Sequence, residues 1–460
     1  MQGVTKKGRA FPNLPYSAVI IDSTYSRLLY AARQCFVYHT QNNRAAYLKQ
    51  LQQLWAQDYN SNPVMPCLCV RTAFDLFLQV KQFPPGSEVI MTAINIKDMP
   101  FLLQHHKLRV VPVDMDPDTL EPDMVLMERL VTQRTVAILV AHLYGRIINM
   151  EPVLSLAQKH NLSVIEDCAE CFSGFSHVGD PRSDISLFSF GIIKFSTSFG
   201  GGIAKVRDPK VYEKMVARHK QYPVQTCAMY LKKILKYIPL YTILHVWPFP
   251  AMVQKSREMG VDWKDTFVSF LRGFPNNLVQ NIRYQPSSAL LCIMAKVQSE
   301  FNPSELALQR VKCEYFLSNL PPSLKVVGTK SQVNHFWLFP VLVEKPDLFI
   351  SCLAALGVDA YRGATQLNYI EPDGPNIPLG PPLPHHETLS PLTPDERYPH
   401  RCRDLIEHVV YMPVNKYVPF YMLEQMARVC RIVMLSMEGT AVHGSESMAV
   451  ETCKTIKSKL

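Results

Sequence analysis

Apolar runs alternate with amphipathic stretches from Phe83 onward, and this alternation restricts the fold more than any other feature of the chain. Repeated strand-helix-strand units of this kind predict a mostly parallel sheet with helices on both faces, a doubly wound α/β layer. One predicted helix is Met150 to His160, whose apolar residues fall on one side. The predicted strands are Glu88 to Met91, Arg109 to Val113, Val136 to Ala141, Ser163 to Glu166, Ser186 to Phe190 and Gly202 to Val206.

The length of 460 residues, 47% of them hydrophobic, exceeds the usual size of one domain. We expect an N-terminal helical segment over 1–64, a large domain over 65–303 and a smaller α+β domain over 304–436. In the smaller domain a long helix begins near Ser304, Phe336 to Val343 is a strand and Asp347 to Leu356 is a helix. Residues 371–399 are dense in Pro and predict an extended loop.

The charge and the cysteines of the chain indicate which cellular compartment and which partners to expect. The net charge of +9 is spread along the chain without a basic block, so a nucleic-acid partner is not expected. The twelve Cys lie in apolar segments without the spacing of a disulfide scaffold, which indicates a reducing compartment. The N-terminus has basic residues but no apolar stretch with a cleavage site, so it does not predict a secretory signal.

The C-terminal segment 437–460 is polar and predicts a flexible tail. It ends in Ser458-Lys459-Leu460, the tripeptide that the peroxisomal import receptor reads at a free C-terminus. The alternative is a chance tripeptide on an ordinary tail. We expect a peroxisomal protein, and otherwise a cytoplasmic one.

An apolar insertion over residues 230–253 is the least ordinary part of the chain. Three lysines, Lys232, Lys233 and Lys236, precede aromatic and aliphatic residues that prolines interrupt, and the uncharged stretch is too short to span a membrane comfortably. One hypothesis is an element lying on a membrane surface, with the lysines at the headgroups and Trp247 at the boundary. The alternative, which we favour slightly, is an insertion that packs on a dimer partner or covers the active site.

Two residues near strand ends carry the first chemical hypothesis. Asp167 follows Val164 to Glu166 at the carboxyl end of a predicted strand, where open α/β sheets bind ligands. Lys194 follows the next strand and precedes Gly200-Gly201-Gly202, which allows close approach of the backbone. A lysine amine forms an imine with an aldehyde cofactor, and a carboxylate keeps a pyridine nitrogen protonated. Taken singly, Asp167 could instead cap a helix and Lys194 could be a solvated surface residue.

The ordered set of motifs resembles the DegT/StrS-type family of pyridoxal phosphate (PLP) dependent sugar aminotransferases. The resemblance covers roughly residues 65–220 well and 275–436 more loosely. The matching motifs are Pro85 to Ile90, Val113 to Leu120, His142 to Gly145, Val164 to Glu170, Asp184 to Phe190, Lys194 and Gly200 to Gly202. The resemblance implies an aspartate-aminotransferase-like α/β fold (PLP fold type I), with a mostly parallel central sheet and a smaller α+β domain.

The same resemblance implies roles for individual residues. Lys194 would hold PLP as a Schiff base and shuttle protons, Asp167 would pair with the pyridinium nitrogen, and Ser189 would bind the phosphate. Arg71 and Thr72 open a helix where the family has a Gly-Thr pair whose amides hold the phosphate.

A further family motif bears on assembly. Asn281 stands in Asn281-Ile282-Arg283, which looks like the family's Asn-x-Arg. The asparagine of that motif reaches the phosphate of the neighbouring subunit, and a shared site implies a homodimer.

Two positions depart from the family pattern. Glu170 stands where the family has Gln or His donating to the phenolic oxygen of the cofactor. An ionised Glu170 would repel that oxygen, so it is protonated, turned away, or part of altered chemistry. Ile96 stands where an aromatic residue usually stacks on the pyridine ring. Cys168 and Cys171 have CxxC spacing, but no second pair follows, so no metal site is predicted.

The sequence thus predicts a PLP-dependent aminotransferase that moves nitrogen from an amino acid donor such as glutamate to a keto-sugar or a more hydrophobic carbonyl acceptor. Retention of Lys194 argues against the related sugar dehydratases, which have histidine there. Two alternatives remain at this point. One is a PLP-binding scaffold or regulator without transaminase turnover, and the other is a PLP enzyme with peripheral membrane contact.

Overall fold

The computed structural model describes residues 14–56, 62–261, 277–374, 379–383, 390–443 and 446–459. Its first nine strands lie between residues 64 and 206. They are β1 Val64–Cys67, β2 Glu88–Thr92, β3 Ile94–Ile96, β4 Arg109–Val113, β5 Thr135–Ala141, β6 Arg146–Ile147, β7 Ser163–Asp167, β8 Ile185–Ser189 and β9 Gly202–Val206.

Seven of these strands form the central sheet in the order β1-β9-β8-β7-β5-β2-β4. The five strands from β8 to β4 are parallel, and β9 and β1 join one edge antiparallel. Every residue of β2 and β7 is buried, as expected for parallel strands covered on both faces. The predicted strands are confirmed, with ends that shift by about a residue, and the doubly wound α/β fold is confirmed with them.

Sixteen helices are present in the described residues. Before residue 260 they are α1 Tyr25–Gln34, α2 Gln41–Trp55, α3 Val70–Lys81, α4 Asp98–His105, α5 Met124–Leu130, α6 Glu151–Lys159, α7 Pro209–His219, α8 Cys227–His245 and α9 Phe249–Glu258. After residue 276 they are α10 Leu278–Ile282, α11 Ser288–Ser299, α12 Pro303–Asn319, α13 Pro346–Ala355, α14 His400–His408, α15 Phe420–His443 and α16 Glu446–Lys459. The helices expected near 150, 304 and 347 are confirmed.

A separate small antiparallel sheet forms later in the chain. The later strands are β10 Lys325–Val326, β11 Val333–Asn334, β12 Phe339–Leu342, β13 Leu367–Tyr369 and β14 Val409–Met412, of which β10, β12 and β14 pair in that order. The strand predicted over 336–343 is therefore shorter than expected. The small sheet shares an apolar core with α13, α15 and α16.

Two short strand pairs connect the parts of the chain. β11 pairs with β6, and β13 pairs with β3, each antiparallel. Through them, residues near 337 and 367 reach the carboxyl edge of the central sheet. The Pro-rich region has no helix or strand in its described residues 371–374, 379–383 and 390–399, apart from one bridge between Thr132 and Pro382.

The C-terminal segment corrects one prediction. The sequence predicted a tail without regular structure from residue 437, but α15 continues to His443 and α16 covers Glu446–Lys459. Ala449 and Cys453 are fully buried, and Ile456 is half-buried. This spacing of four and three residues puts them on one helical face, against α13. Leu460 lies outside the described residues.

The insertion over 230–253 is helical and packs on its own chain. α8 contacts α1, α9 and α11, and its buried residues are Tyr230, Ile234, Tyr237 and Leu240. Within the ranges that the structure describes, no helix has the length and apolar character needed to cross a membrane.

Candidate active site

A pocket opens at the carboxyl ends of β5, β7 and β8, where open parallel sheets bind ligands. Its lining comes from the central sheet, the start of α3 and the small domain: Cys69, Val70, Arg71, Asn95, Ile96, Met99, Ala141, His142, Leu143, Asp167, Ala169, Glu170, Ser189, Gly191, Ile192, Ile193, Lys194, Trp337, Ala364, Thr365, Gln366 and Leu367. Six of the predicted site residues belong to this lining: Lys194, Asp167, Glu170, Ser189, Arg71 and Ile96.

Asp167 ends β7 with its carboxyl group buried in the pocket wall. One oxygen accepts a hydrogen bond from the Asn95 amide at 3.2 Å, and the other accepts from the backbone N–H of Ala169 at 3.1 Å. Burial raises the pKa of Asp167, and the two hydrogen bonds act in the opposite direction. A buried carboxyl oriented in this way is suited to hold a protonated ring nitrogen.

Lys194 lies on the loop between β8 and β9. Its backbone N–H donates to the carbonyl oxygen of Gly191 at 3.0 Å. The loop returns to the sheet through Gly201, which has φ +91° and where a Cβ would collide with the sulfur of Met294. A glycine is therefore favoured there, and it allows the loop to pack closely on α11.

The ε-amine of Lys194 lies between a carboxylate and an aromatic ring. Its Nζ is 3.3 Å from Oε1 of Glu170 and 3.8 Å from the centre of the Trp337 ring. The second oxygen of Glu170 accepts from the backbone N–H of Tyr144 at 3.1 Å. Glu170 is thus not turned away from the pocket, which removes one of the three alternatives left open by the sequence. Burial raises the pKa of Glu170, and Lys194 opposes this effect.

Sequence reasoning missed Trp337. The residue precedes β12, and its ring nitrogen donates to the carbonyl oxygen of Ile193 at 2.8 Å, beside Lys194. It is far from the cofactor motifs along the chain, so spacing carries no signal for it. Only the pairing of β11 with β6 brings it to the pocket.

A second missed group lies on the wall formed by residues 364–367. The Thr365 hydroxyl lies 3.1 Å from the Tyr411 hydroxyl, which in turn donates to the Tyr144 hydroxyl at 3.3 Å. Tyr144 and Tyr411 are fully buried. This chain of hydroxyls fixes the pocket wall formed by residues 364–367.

The start of α3 has the properties of an anion site. The side chain of its N-cap residue, Cys69, accepts no hydrogen bond from the backbone amides of the first turn, although its Sγ lies 3.3 Å from the Thr72 hydroxyl. The first amides of a helix lack intrahelical acceptors, and together with the helix dipole they favour a negative charge. Arg71 lines the pocket here and forms an ion pair with Asp98. Ser189, from the end of β8, lies in the same lining and its Oγ accepts from the Gly191 N–H at 3.4 Å.

The other two predicted residues, Thr72 and Asn281, are not part of this lining. The Thr72 hydroxyl is fully buried and donates to the carbonyl oxygen of Ile282 at 2.7 Å. Asn281 belongs to α10, next to that contact. The Thr72 hydroxyl therefore joins α3 to α10 rather than facing the pocket.

Ile96 lies in β3, half-buried, with Leu367 of β13 opposite it in the strand pair. Both residues belong to the pocket lining. Aliphatic side chains therefore close the pocket on this side. The resemblance to the family had implied an aromatic residue at the position of Ile96.

Four side chains near the pocket, His142, Glu166, Cys168 and His177, have potential metal-ligating atoms within 4.8 Å of one another. However, Nδ1 of His142 accepts the backbone N–H of Ile148 at 3.2 Å, so the ring proton is on Nε2, which lies 2.9 Å from Glu166. A metal bound to Nε2 would require the ring proton to move to Nδ1. There it would point at the Ile148 N–H and break the hydrogen bond that Nδ1 accepts. The hydrogen bonds thus fit a structural His-Glu pair better than a metal site.

Residues 69–231 match the model of the DegT/DnrJ/EryC1/StrS aminotransferase family. Among similar curated proteins, GDP-perosamine synthase of Caulobacter vibrioides is 33% identical over 172 residues, 37% of this chain and 46% of that protein. The enzyme of the same name from Escherichia coli O157:H7 is 28% identical over 191 residues, 39% of this chain and 52% of that protein. The chain thus aligns with about half the length of these relatives.

Solved structures cover more of the chain. DesI, determined in the presence of its TDP-sugar product, superposes with a TM-score of 0.61 at 16% identity, over 95% of this chain and 97% of that one. A DegT DnrJ EryC1 StrS aminotransferase from Brucella abortus superposes with a TM-score of 0.57 at 14% identity. The superposition covers 88% of this chain and 95% of that one. Residues 69–231 therefore carry the sequence pattern of the DegT/DnrJ/EryC1/StrS aminotransferase family, and the chain as a whole has the fold of its solved members.

Proposed function

We propose that this chain is a PLP-dependent aminotransferase that transfers an amino group from an amino acid to a keto-sugar or another carbonyl acceptor. The observation that carries the proposal is the convergence of Lys194 and Asp167 on one pocket from two different strand ends. The sequence match to an aminotransferase family over residues 69–231 supports the reaction class. Relatives named for sugar substrates, including UDP-4-amino-4-deoxy-L-arabinose–oxoglutarate aminotransferase of Shewanella sediminis, support the acceptor class.

The residues of the pocket fit PLP at three points. Lys194 would attach the cofactor through its ε-amine, Asp167 would hold the ring nitrogen, and Ser189 with the first turn of α3 would hold the phosphate. When bound, PLP supplies an aldehyde that condenses with amines and a ring that withdraws electrons. Glu170, 3.3 Å from Nζ of Lys194, can hold a proton next to that nitrogen because burial raises its pKa.

The two tests of this function are spectroscopic. Purified protein loaded with PLP should show the visible absorbance of a lysine-bound cofactor, and borohydride should abolish it and fix the cofactor to Lys194 in a peptide map. Addition of glutamate or glutamine should then convert the absorbance to that of the aminated cofactor, and a keto-sugar nucleotide should restore it. Colour without conversion across a panel of amino acids would contradict the transaminase proposal and favour a PLP-binding protein without turnover.

We further propose that the chain acts as a homodimer. Asn281 matches the family motif that reaches a neighbouring subunit, and in this chain it does not belong to the lining of its own pocket. Light scattering coupled to size-exclusion chromatography should give twice the mass of 52.4 kDa. A monomer with full cofactor affinity would contradict this assignment.

For the C-terminal tripeptide we propose recognition by the peroxisomal import receptor. The described chain is helical up to Lys459, and Ala449 and Cys453 hold that helix on the small domain. A fluorescent fusion with a free C-terminus should enter peroxisomes, and removal of Leu460 should leave it in the cytosol. Unchanged distribution of the truncated fusion would contradict the address.

For the insertion we propose an intramolecular role, because one face of α8 is buried against α1 and α11. Peripheral membrane contact through the exposed Trp247, Phe249 and Met252 is the alternative. Liposome flotation separates the two: we expect no binding, whereas binding that is lost when these three residues are changed to Ser would support membrane contact.

A further inference from the structure

The lysine loop, which joins β8 to β9 and carries Lys194, is held on both sides of the lysine. Before the lysine, the carbonyl oxygen of Ile193 accepts a hydrogen bond from the Trp337 ring nitrogen at 2.8 Å. After the lysine, the backbone N–H of Ser196 donates to Oδ2 of Asp22 at 3.0 Å. Ser196 has φ +52°, a left-handed conformation that is unfavourable for a residue other than glycine. A fixed acceptor for its N–H therefore helps to hold the loop in this conformation.

Asp22 is a buried carboxylate that also faces the small domain. Its Oδ1 lies 2.6 Å from Nζ of Lys416 and accepts the Tyr417 hydroxyl at 3.0 Å. Lys416 is buried as well, and its Nζ also lies 2.6 Å from the carboxyl group of Glu305. Burial acts to raise the pKa of Asp22, but Lys416 and the hydrogen bonds outweigh this effect and bring the pKa below its ordinary value. The carboxylate is therefore charged at neutral pH, and the bond that it accepts from the loop is charge-assisted.

The same segment of the small domain reaches Trp337. The Lys416 backbone N–H donates to Oε1 of Gln309 at 2.6 Å, and Nε2 of Gln309 donates to the carbonyl oxygen of Phe336 at 2.7 Å. Gln309 is fully buried in α12. Since Phe336 directly precedes Trp337, the contacts on the two sides of Lys194 belong to one connected network of hydrogen bonds.

α8 fixes the chain on both sides of Asp22. Nε2 of His245 accepts the backbone N–H of Ile21 at 3.2 Å, and the Tyr241 hydroxyl donates to the carbonyl oxygen of Ser23 at 3.1 Å. Nδ1 of His245 lies 3.1 Å from the carbonyl oxygen of Tyr241, so the ring proton is on Nδ1 and Nε2 is the acceptor. The apolar insertion thus presents Asp22 to the lysine loop.

We propose that Asp22 is a positioning residue for Lys194. Together with Lys416 and Gln309 it forms a brace between the lysine loop and the small domain. The brace keeps the amine of Lys194 beside Glu170. This inference rests on the proposed function, in which Lys194 holds the cofactor. It goes beyond that function, because Asp22 and Lys416 both lie outside the range that matches the family model.

The test measures the reactivity of the Lys194 amine in apoprotein, which requires no cofactor. Apoprotein is labelled with acetic anhydride, and the modification of Lys194 is followed by mass spectrometry. Asp22→Ala removes the acceptor of the Ser196 N–H. Because a charge-assisted hydrogen bond that holds the loop is lost, we expect the labelling of Lys194 to become about 10-fold faster. Asp22→Asn retains an oxygen for this N–H and should give an intermediate rate, whereas an unchanged rate in Asp22→Ala would overturn the proposal.

Asp114→Ala is the matched control. Asp114 is similarly buried and also accepts backbone N–H groups, those of Arg401 and Cys402, but it is not part of the pocket lining. This variant should lower the stability of the fold and leave the labelling of Lys194 unchanged. Equal acceleration by Asp114→Ala and Asp22→Ala would mean that lost stability alone exposes the amine, and the positioning role would then be wrong.

The brace also predicts how two changes combine. Lys416→Met removes the charge that holds Asp22, so it should accelerate the labelling of Lys194 too. The double variant Asp22→Ala/Lys416→Met should label no faster than Asp22→Ala alone, because both changes act through one contact. Effects that multiply would show that the two residues act independently, contrary to the proposal.

Cofactor titration separates this inference from the proposed function. Asp22→Ala should weaken the binding of PLP and of pyridoxal, which lacks the phosphate, by the same factor, because only the amine is displaced. Weakening for PLP alone would place the effect at the phosphate and overturn the positioning role. If unmodified protein forms a lysine-bound species with neither compound, the proposed function fails, while the labelling of apoprotein still decides whether Asp22 positions the amine.

A measurement on unmodified apoprotein covers a variant that does not fold. The backbone amide of Ser196 should be protected from deuterium exchange, as measured by mass spectrometry with residue resolution. Exchange at the rate of an unprotected amide would show that Asp22 does not hold the loop, and the proposal would be overturned.

Discussion

Nζ of Lys194 lies 3.3 Å from Oε1 of Glu170, and the other oxygen of that carboxyl group accepts the backbone N–H of Tyr144. The carboxyl group is thus fixed at one end by the main chain and faces the lysine at the other. Burial raises the pKa of Glu170 and Lys194 opposes the rise. The charge at Lys194 and the proton on Glu170 are therefore linked, and several measurements follow from this pair and its surroundings.

Lys194→Ala should abolish the visible band of the lysine-bound cofactor while leaving the far-ultraviolet circular dichroism unchanged. The reason is that no other amine belongs to the described lining of the pocket. Absorbance after PLP addition and gel filtration measures this. Retention of a borohydride-sensitive band in the variant would show that another lysine holds the cofactor.

Glu170→Gln should shift the pH at which the visible band of the loaded enzyme changes. A negative charge stabilises a protonated nitrogen nearby, so its removal should lower that pH. A shift of about one unit corresponds to about 1.4 kcal/mol. The measurement is an absorbance titration of both proteins. Identical titrations would mean that Glu170 is neutral in the loaded enzyme.

Trp337→Leu should weaken cofactor retention, because the ring covers the Lys194 amine and its N–H holds the Ile193 carbonyl. Loss of a neutral hydrogen bond and a cation–π contact predicts about a 10-fold weaker dissociation constant. Trp337→Phe keeps an aromatic ring without the N–H. Its dissociation constant for PLP should lie between those of the unmodified protein and Trp337→Leu. Equal affinity of all three proteins for PLP would rule out this positioning role.

Arg146→Met should destabilise the fold through the loss of buried hydrogen bonds. The guanidinium is fully buried, and it donates to the carbonyl oxygens of Tyr144, Leu338 and Val327 at 2.9–3.0 Å. Burial lowers its pKa to about 10, so it is still charged at neutral pH. Loss of these donors should cost at least ~3 kcal/mol in urea denaturation. The exposed Arg182→Met is the control, with an expected change under ~1 kcal/mol.

His219 should make stability fall with acidity. Burial lowers its pKa to about 4, and a hydrogen bond to the backbone of Tyr284 acts in the opposite direction. The folded state therefore binds this proton more weakly than the unfolded state, whose histidine has a pKa near ~6.5. Stability should decrease as pH falls from about 6.5 to 4, by up to ~1.4 kcal/mol per pH unit. His219→Phe should reduce this slope, measured by denaturation at each pH. An unchanged slope would show that His219 is protonated in the folded protein.

Six of the seven central strands and the helices near 150, 304 and 347 could be predicted from the sequence, because each follows a local pattern of apolar residues. The same local patterns also predicted that Asp167 and Lys194 follow strands whose carboxyl ends meet at one edge of the central sheet. By contrast, α16 was missed because Ala449, Cys453 and Ile456 form a sparse face in a polar segment, and such a face becomes apparent only against α13.

The sequence by itself therefore determined the sheet, the order of the cofactor motifs and the lysine and aspartate of the pocket. Tertiary structure alone decided that Glu170 faces Lys194, that Thr72 turns to α10, and that Trp337 covers the amine. The physical reason is that strand and helix patterns depend on neighbours in the chain. The walls of the pocket depend instead on the β11–β6 and β13–β3 pairings, which join segments remote in sequence.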